Sequence, residues 1–286
     1  MLELFDVTAR GGDRFVAPGM AKPLHDALFG GQAVAQSLWC AGLTVDAGLL
    51  PRSLHAYFER PGSAAEPLLV AGERFDTDDD GALRGVRVTQ GEREIFSMRV
   101  RYCLTSQAIG DVDGEEGFSA VLSSGIPPAP GPDAVILEPL KNAMANIATT
   151  DRFPELVPGY QWRPPQTFWG RTIDRLPDDP MVHACALAYM SDMGSGFSGL
   201  GGSPGLEDLP PGGPSLDHAV WFHARVRADE WCWNDLQPIA SANARALYRG
   251  TITAHTGEVA ITLMQEMSMR PNPRFWQTAV PTEPVP

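Results

Sequence analysis

The sequence predicts an α+β protein built from two copies of one unit, each a buried helix wrapped by an antiparallel sheet. Two segments, residues 32–45 and 181–190, are apolar on nearly every side. A helix that is hydrophobic all round is a buried helix. Each is followed by four segments of strand character, and the order is the same both times. Short matches support the repeat: His55-Ala56-Tyr57-Phe58 resembles His218-Ala219-Val220-Trp221-Phe222, and Ser97-Met98-Arg99 reappears as Ser268-Met269-Arg270. The shared order of elements carries the inference; the tripeptides only accompany it.

Gly30 and Gly31 open the first helix. Strands are expected at residues 53–60, 68–75, 83–89 and 95–102. The last alternates cleanly, with Phe96, Met98, Val100 and Tyr102 on one face and Ser97, Arg99 and Arg101 on the other. Residues 78–81 (DDDG) mark a turn. Residues 104–158, rich in Pro, Gly and acids, read as a linker with one short helix at 137–147. The second helix ends at Ser191-Asp192-Met193-Gly194. Strands are then expected at 216–227, 231–239, 244–253 and 258–270, with a turn at Thr256-Gly257. The Pro-rich tail, 271–286, is expected to be extended or disordered, and its Phe275-Trp276 could dock. The domain bounds are therefore 1–103, 104–158, 159–270 and 271–286. One buried helix cannot hide itself, and an antiparallel sheet with one apolar face hides both. That architecture is a hotdog fold, and two copies on one chain make a tandem, or double, hotdog.

Composition agrees and excludes several classes. At ~150 residues per domain, 286 residues make about two domains. A hydrophobic share of 43% suffices for a sizeable core and excludes disorder throughout. The net charge of -13 excludes a broad nucleic-acid surface, which must neutralise phosphates. A small anion can still bind through a local arginine pocket. Cys40, Cys103, Cys185 and Cys232 are far apart with no CxxC pair, against a zinc ribbon or redox motif. No basic n-region precedes an apolar stretch, and no apolar run reaches the ~18 residues of a membrane span. A soluble, cytoplasmic protein is expected.

A resemblance then becomes specific. Phe29-Gly30-Gly31-Gln32, residues 55–62 (HAYFERPG), Ser191-Asp192, residues 215–223 (SLDHAVWFH), Ala244-Arg245 to Arg249-Gly250, and Gln265-Glu266 stand in order at family-like spacing. On these motifs the chain resembles the TesB-type acyl-CoA thioesterase II family over about residues 20–103 and 160–270. The resemblance implies a double hotdog that hydrolyses fatty acyl-CoA, with water oriented and activated by an Asp, a Thr and a Gln. By motif position these fall on Asp192, Ser215 and Gln265. Ser replaces the family's Thr and keeps the hydroxyl. Segment 83–89 lacks the family's aromatic-and-double-arginine pattern.

The residues bear independent readings. Asp192 follows a helix C-terminus, whose negative dipole end disfavours a carboxylate by a few tenths to ~1 kcal/mol, so the placement calls for a reason. A solvated loop Asp is the bland reading. Gln265 shares a face with Ile261, Leu263, Met267 and Met269. A buried amide needs partners, either backbone or site, since an unsatisfied one costs ~1–3 kcal/mol. Ser215 has the parity of the polar face. It points inward only if it precedes the strand or a bulge intervenes near Asp217-His218. Gly31 and Gln32 offer N–H groups for an oxyanion; close packing of helix on sheet explains them as well. His55, His218 and His223 read as sheet histidines, because no GxSxG nucleophile accompanies them. Arg60, Arg245 and Arg249 could meet CoA phosphates, or serve in ordinary ion pairs. Residues 195–213, rich in Gly and Pro, read as a lid or acyl-length gate.

The expected reaction is acyl-CoA thioester hydrolysis without metal or cofactor, since a thioester is already activated. A hotdog enoyl-CoA hydratase or dehydratase would place an Asp/His pair after a helix, and no such motif follows either one. A non-catalytic acyl-CoA-binding protein would bind without turnover. No nucleic acid or membrane partner is expected. Exposed sheet edges favour a homo-oligomer, dimer or tetramer.

Overall fold

The computed structural model describes residues 1–19, 27–75, 81–104, 125–131, 147–149, 167–193 and 214–269. After a 3-10 turn at Leu2–Phe5 come β1 (Thr8–Gly11), β2 (Arg14–Ala17), α1 (Gly30–Gly42), β3 (Leu49–Phe58), β4 (Leu68–Phe75), β5 (Gly81–Gln90) and β6 (Arg93–Leu104). The second half brings β7 (Ile147–Thr149), β8 (Thr167–Thr172), α2 (Pro180–Met190), β9 (Asp217–Phe222), β10 (Cys232–Ala242), β11 (Arg245–Ala254) and β12 (Val259–Ser268). Both halves repeat one connectivity: two strands, a helix, four strands.

Among the described residues the strands form one antiparallel sheet, ordered β1-β2-β4-β5-β6-β3-β9-β12-β11-β10-β8-β7. The strand that follows each helix turns back to the centre. There β3 and β9 pair antiparallel, from Ser53 opposite Trp221 to Tyr57 opposite Asp217. The short β1 and β7 form the outer edges, where short strands limit unwanted pairing.

Local chemistry explains the helices. Asp179 caps α2, its side chain accepting from Met181 N–H at 2.9 Å, and Pro180 takes the first turn, where its missing N–H costs nothing. Val182, Cys185, Leu187, Ala188, Tyr189 and Met190 are all buried, so this helix has no solvent face of any width. Helix α1 packs against it, and one apolar core runs through both halves. At the far end of α1 the buried Arg84 donates from Nε to Thr44 Oγ1 and from Nη2 to Thr44 O, both at 2.9 Å. A cation suits the negative end of a helix.

Both buried helices and all eight strands expected from the sequence are present, β4 with the expected ends and the others with shifted ones. Segment 216–227 remains a strand only to Phe222. Strands β1, β2, β7 and β8 were not expected. β1 is exposed throughout, β2 is four residues long, and Gly170 interrupts β8, so none shows a usable alternation. β7 lies inside the stretch read as linker, and Ile147, expected to end a short helix, belongs to it. The rest of that helix (137–146), residues 195–213 and the tail lie outside the described residues, as does the 78–81 turn apart from Gly81, which opens β5. The matched segments at His55 and His218 do not mark equivalent positions: His55 faces outward and His218 faces the helices. No described helix is long and apolar enough to cross a membrane.

Candidate active site

Helix α2 ends where α1 begins, and Asp192 fills the corner. Its Oδ2 accepts from Gly31 N–H at 2.8 Å. The carboxylate therefore faces the positive end of α1, which offsets the negative end of α2 it has just left. This approach requires glycine. A Cβ on Gly31 would lie 2.3 Å from Tyr189 O, and one on Gly30 would lie 2.6 Å from Asp192 Oδ2.

The other carboxylate oxygen belongs to the second half. Asp192 Oδ1 accepts from Ser215 Oγ at 3.1 Å and from Gln265 Nε2 at 2.5 Å, and the same Nε2 lies 2.5 Å from Ser215 Oγ. Gln265 is wholly buried among Ile261, Leu263 and Met267, the alternation expected for β12. Ser215 reaches inward because the register slips. Met264 stands opposite Ala219, but Met267 stands opposite Ser215, so β12 advances three residues while the other chain advances four. This is the bulge that the parity of Ser215 demanded. Asp217 holds it: its Oδ1 accepts from Glu266 N–H at 2.8 Å, and Leu216 N–H donates to Glu266 O at 2.9 Å.

Burial pushes the Asp192 carboxyl up to about 6, while hydrogen bonds from Gln265, Ser215 and Gly31 act in the opposite direction. Below the carboxylate, His218 Nε2 lies 2.7 Å from Ser191 Oγ. Burial lowers His218 to about 4, so the ring is neutral at pH 7. Among the described residues no His/Cys/Asp/Glu cluster could hold a metal ion.

Other expectations are redirected. Gly31 N–H is taken by Asp192, and Gln32 N–H donates to Phe29 O at 3.1 Å. Neither N–H is left to meet an oxyanion, because the acidic side chain claims the mouth of α1. Arg60 Nη1 donates to Glu94 O at 2.8 Å, and Arg245 lies 3.8 Å from Glu266. Arg249 is exposed on the face of β11 away from Tyr248, the residue opposite Gln265. His55 packs edge-on to Trp221 across the β3–β9 seam, and His223 bonds Thr262. Sequence reasoning missed Ser191, Asp217 and the inward turn of His218. The last was readable, since His218 shares the parity of Val220 and Phe222.

Buried helices on one antiparallel sheet, meeting at a buried carboxyl, define a hotdog-fold protein. Residues 17–103 match the acyl-CoA thioesterase N-terminal domain family, and residues 124–269 match the acyl-CoA thioesterase C-terminal domain family. The chain belongs to the TesB-type acyl-CoA thioesterase II family. It is similar to the crystal structure of acyl-CoA thioesterase II TesB2 from Mycobacterium marinum, at 30% identity and TM-score 0.72, over 95% of this chain and 97% of that one. Acyl-coenzyme A thioesterase 8 of Rattus norvegicus is 28% identical over 277 residues, covering 88% of this chain and 83% of that protein. A protein from Alicyclobacillus acidocaldarius described as having a hot dog fold shares the fold at 16% identity and TM-score 0.69, over 94% of this chain and 97% of that one.

Proposed function

We propose that Asp192, Ser215 and Gln265 hold and activate the water with which this thioesterase hydrolyses acyl-CoA to a free carboxylic acid and CoA. Hydrolysis itself follows from the family to which the chain belongs. The assignment of residues rests on one observation: two side chains far apart in sequence, Ser215 and Gln265, converge by direct hydrogen bonds on the buried carboxyl of Asp192 and on each other. A carboxyl near 6 is ionised at neutral pH yet basic enough to take a proton from water. The resulting hydroxide adds to the thioester carbonyl carbon. As the tetrahedral intermediate collapses, the C–S bond breaks, and Asp192 returns the proton to the departing CoA sulfur. Ser215 and Gln265 fix the water's position, so the attack starts from a bound, oriented nucleophile.

The repeated connectivity supports reading the chain as a double hotdog, with 1–103 and 159–270 as its units and the acyl chain lying beside the buried helices. Arg60, two residues beyond β3, is the proposed first contact for CoA phosphates, with Arg245 and Arg249 further out. A homo-oligomer in the cytoplasm completes the proposal.

The test is hydrolysis of a panel of acyl-CoAs by wild type and Asp192→Asn. The variant is expected to lose on the order of 100-fold or more in kcat, the usual worth of a positioned base. An unchanged rate would remove Asp192 from the mechanism.

A further inference from the structure

The amide of Gln265 has two ends, and only one is accounted for by the carboxylate. Ionised Asp192 can only accept hydrogen bonds, so Gln265 must turn Nε2 toward it, as it does. The carbonyl end, Oε1, is then aimed the other way. It is buried and without a hydrogen-bond partner among the described residues. Nδ1 of His218 is buried in the same condition. The register of β9 and β12 pairs Met264 with Ala219, the neighbours of Gln265 and His218, on the near side of the bulge, and Gln265 lies close enough to the His218 ring to act on its titration. Both side chains are on the helix side of the sheet, each at most 1% exposed.

We propose that His218 is a positioning residue: it carries its proton on Nδ1 and donates it to Gln265 Oε1, so fixing which end of the amide faces Asp192. This rests on the reading of Gln265 as a water-holding residue. With the proton on Nδ1, Nε2 becomes the acceptor and takes the O–H of Ser191, 2.7 Å away. The Ser191 hydroxyl has a single proton and two acceptors in reach, Nε2 and Ala188 O at 2.8 Å. The opposite tautomer would send that proton to Ala188 O. It would also leave a lone pair on Nδ1 against the lone pairs of Oε1, two buried acceptors facing each other. That mismatch favours turning the amide, which would present Oε1 to the carboxylate and lose the bond to Asp192. The Nδ1–H form satisfies every atom in the series from Ser191 through His218 and Gln265 to Asp192, the residue next to Ser191. The series thus closes on itself across a single peptide bond.

Two near-isosteres separate this role from simple core filling. Asn places its amide nitrogen where His has Nδ1, and Gln places its own where His has Nε2. His218→Asn therefore keeps the donor to Gln265 and loses the Ser191 contact; His218→Gln does the reverse. The expected result is kcat within about threefold of wild type for His218→Asn, and a fall of about tenfold or more, at unchanged KM, for His218→Gln. Tenfold is the rate equivalent of ~1.4 kcal/mol, about one hydrogen bond. Equal losses in the two variants overturn the proposal. So does the wild-type protein alone, if 15N-histidine NMR shows the buried, neutral His218 with its proton on Nε2; a proton on Nδ1 supports it even if neither variant folds. Failure of the underlying reading would show separately, as Asp192→Asn retaining full kcat while the His218 tautomer stays as stated.

Discussion

Asp192 is a carboxylate that the fold makes costly to ionise and that the proposed chemistry needs ionised. Its carboxyl stands at about 6 against an ordinary 3.8, because burial outweighs three hydrogen bonds. Activity is therefore expected to fall as pH drops through about 6, seen as an acid limb in kcat/KM. Stability should move the other way. A carboxyl raised in the folded state stabilises below its unfolded value, and that contribution is lost as pH rises from about 4 to about 6. The full shift corresponds to about 3 kcal/mol. His218, lowered to about 4, acts with opposite sign: its contribution is present above its ordinary 6.5 and is lost as pH falls toward 4. Asp192→Asn keeps His218, so comparing the two proteins isolates the carboxyl. Urea titrations between pH 4 and 7 should show wild type losing about 2 kcal/mol of that shift relative to the variant. No such difference would mean that Asp192 is not desolvated. At this scale much was legible. Gln265 betrayed itself as an amide in an apolar alternation, and Asp192 as an acid at the wrong end of a helix. The fate of the Gly31 N–H was not, because a sequence does not say which of two chemically suitable acceptors, substrate or Asp192, will occupy a helix mouth.

Among elements, the bulge before β9 decides whether Ser215 belongs to the site. Without the slipped register its hydroxyl would face away from the helices. The slip leaves Glu266 N–H in need of an acceptor, and the Asp217 carboxylate supplies it. Asp217→Ala is expected to destabilise by roughly 1–3 kcal/mol, the cost of an unsatisfied buried donor, and to lower kcat along with it. Asp217→Asn, which keeps an acceptor oxygen, should recover most of both. Thermal denaturation with steady-state kinetics checks this; equal behaviour of the two variants would remove Asp217 from the bulge. The need for a bulge was readable from the parity of Ser215 against Val220 and Phe222. Its clasp was not, since Asp217 sits on a strand face where an acid normally needs no explanation. Strands β1, β2, β7 and β8 escaped for a related reason: short pieces pairing at a sheet's rim leave no periodicity.

Among the described residues one sheet and one core run through both halves, and the candidate site draws Gly31 from one half and Asp192, Ser215 and Gln265 from the other. Neither half should persist without its neighbour. Chemical denaturation is expected to show a single transition in which activity and far-UV circular dichroism vanish together; two separated steps would contradict a shared core. The repeated connectivity was visible in the order of helix and strands, while the short match of His55 with His218 joined positions of opposite orientation. Thr44 stands two residues past α1 as Asp192 stands two past α2, yet a guanidinium from Arg84 closes that first corner. Fusion thus permits a division of labour. A unit pairing with an identical copy must repeat every residue in both corners, whereas a covalently joined pair can let one corner work and the other brace. The chain accordingly counts as one catalytic equivalent, and titration with a tight, non-hydrolysable acyl-CoA analogue should saturate at one per chain.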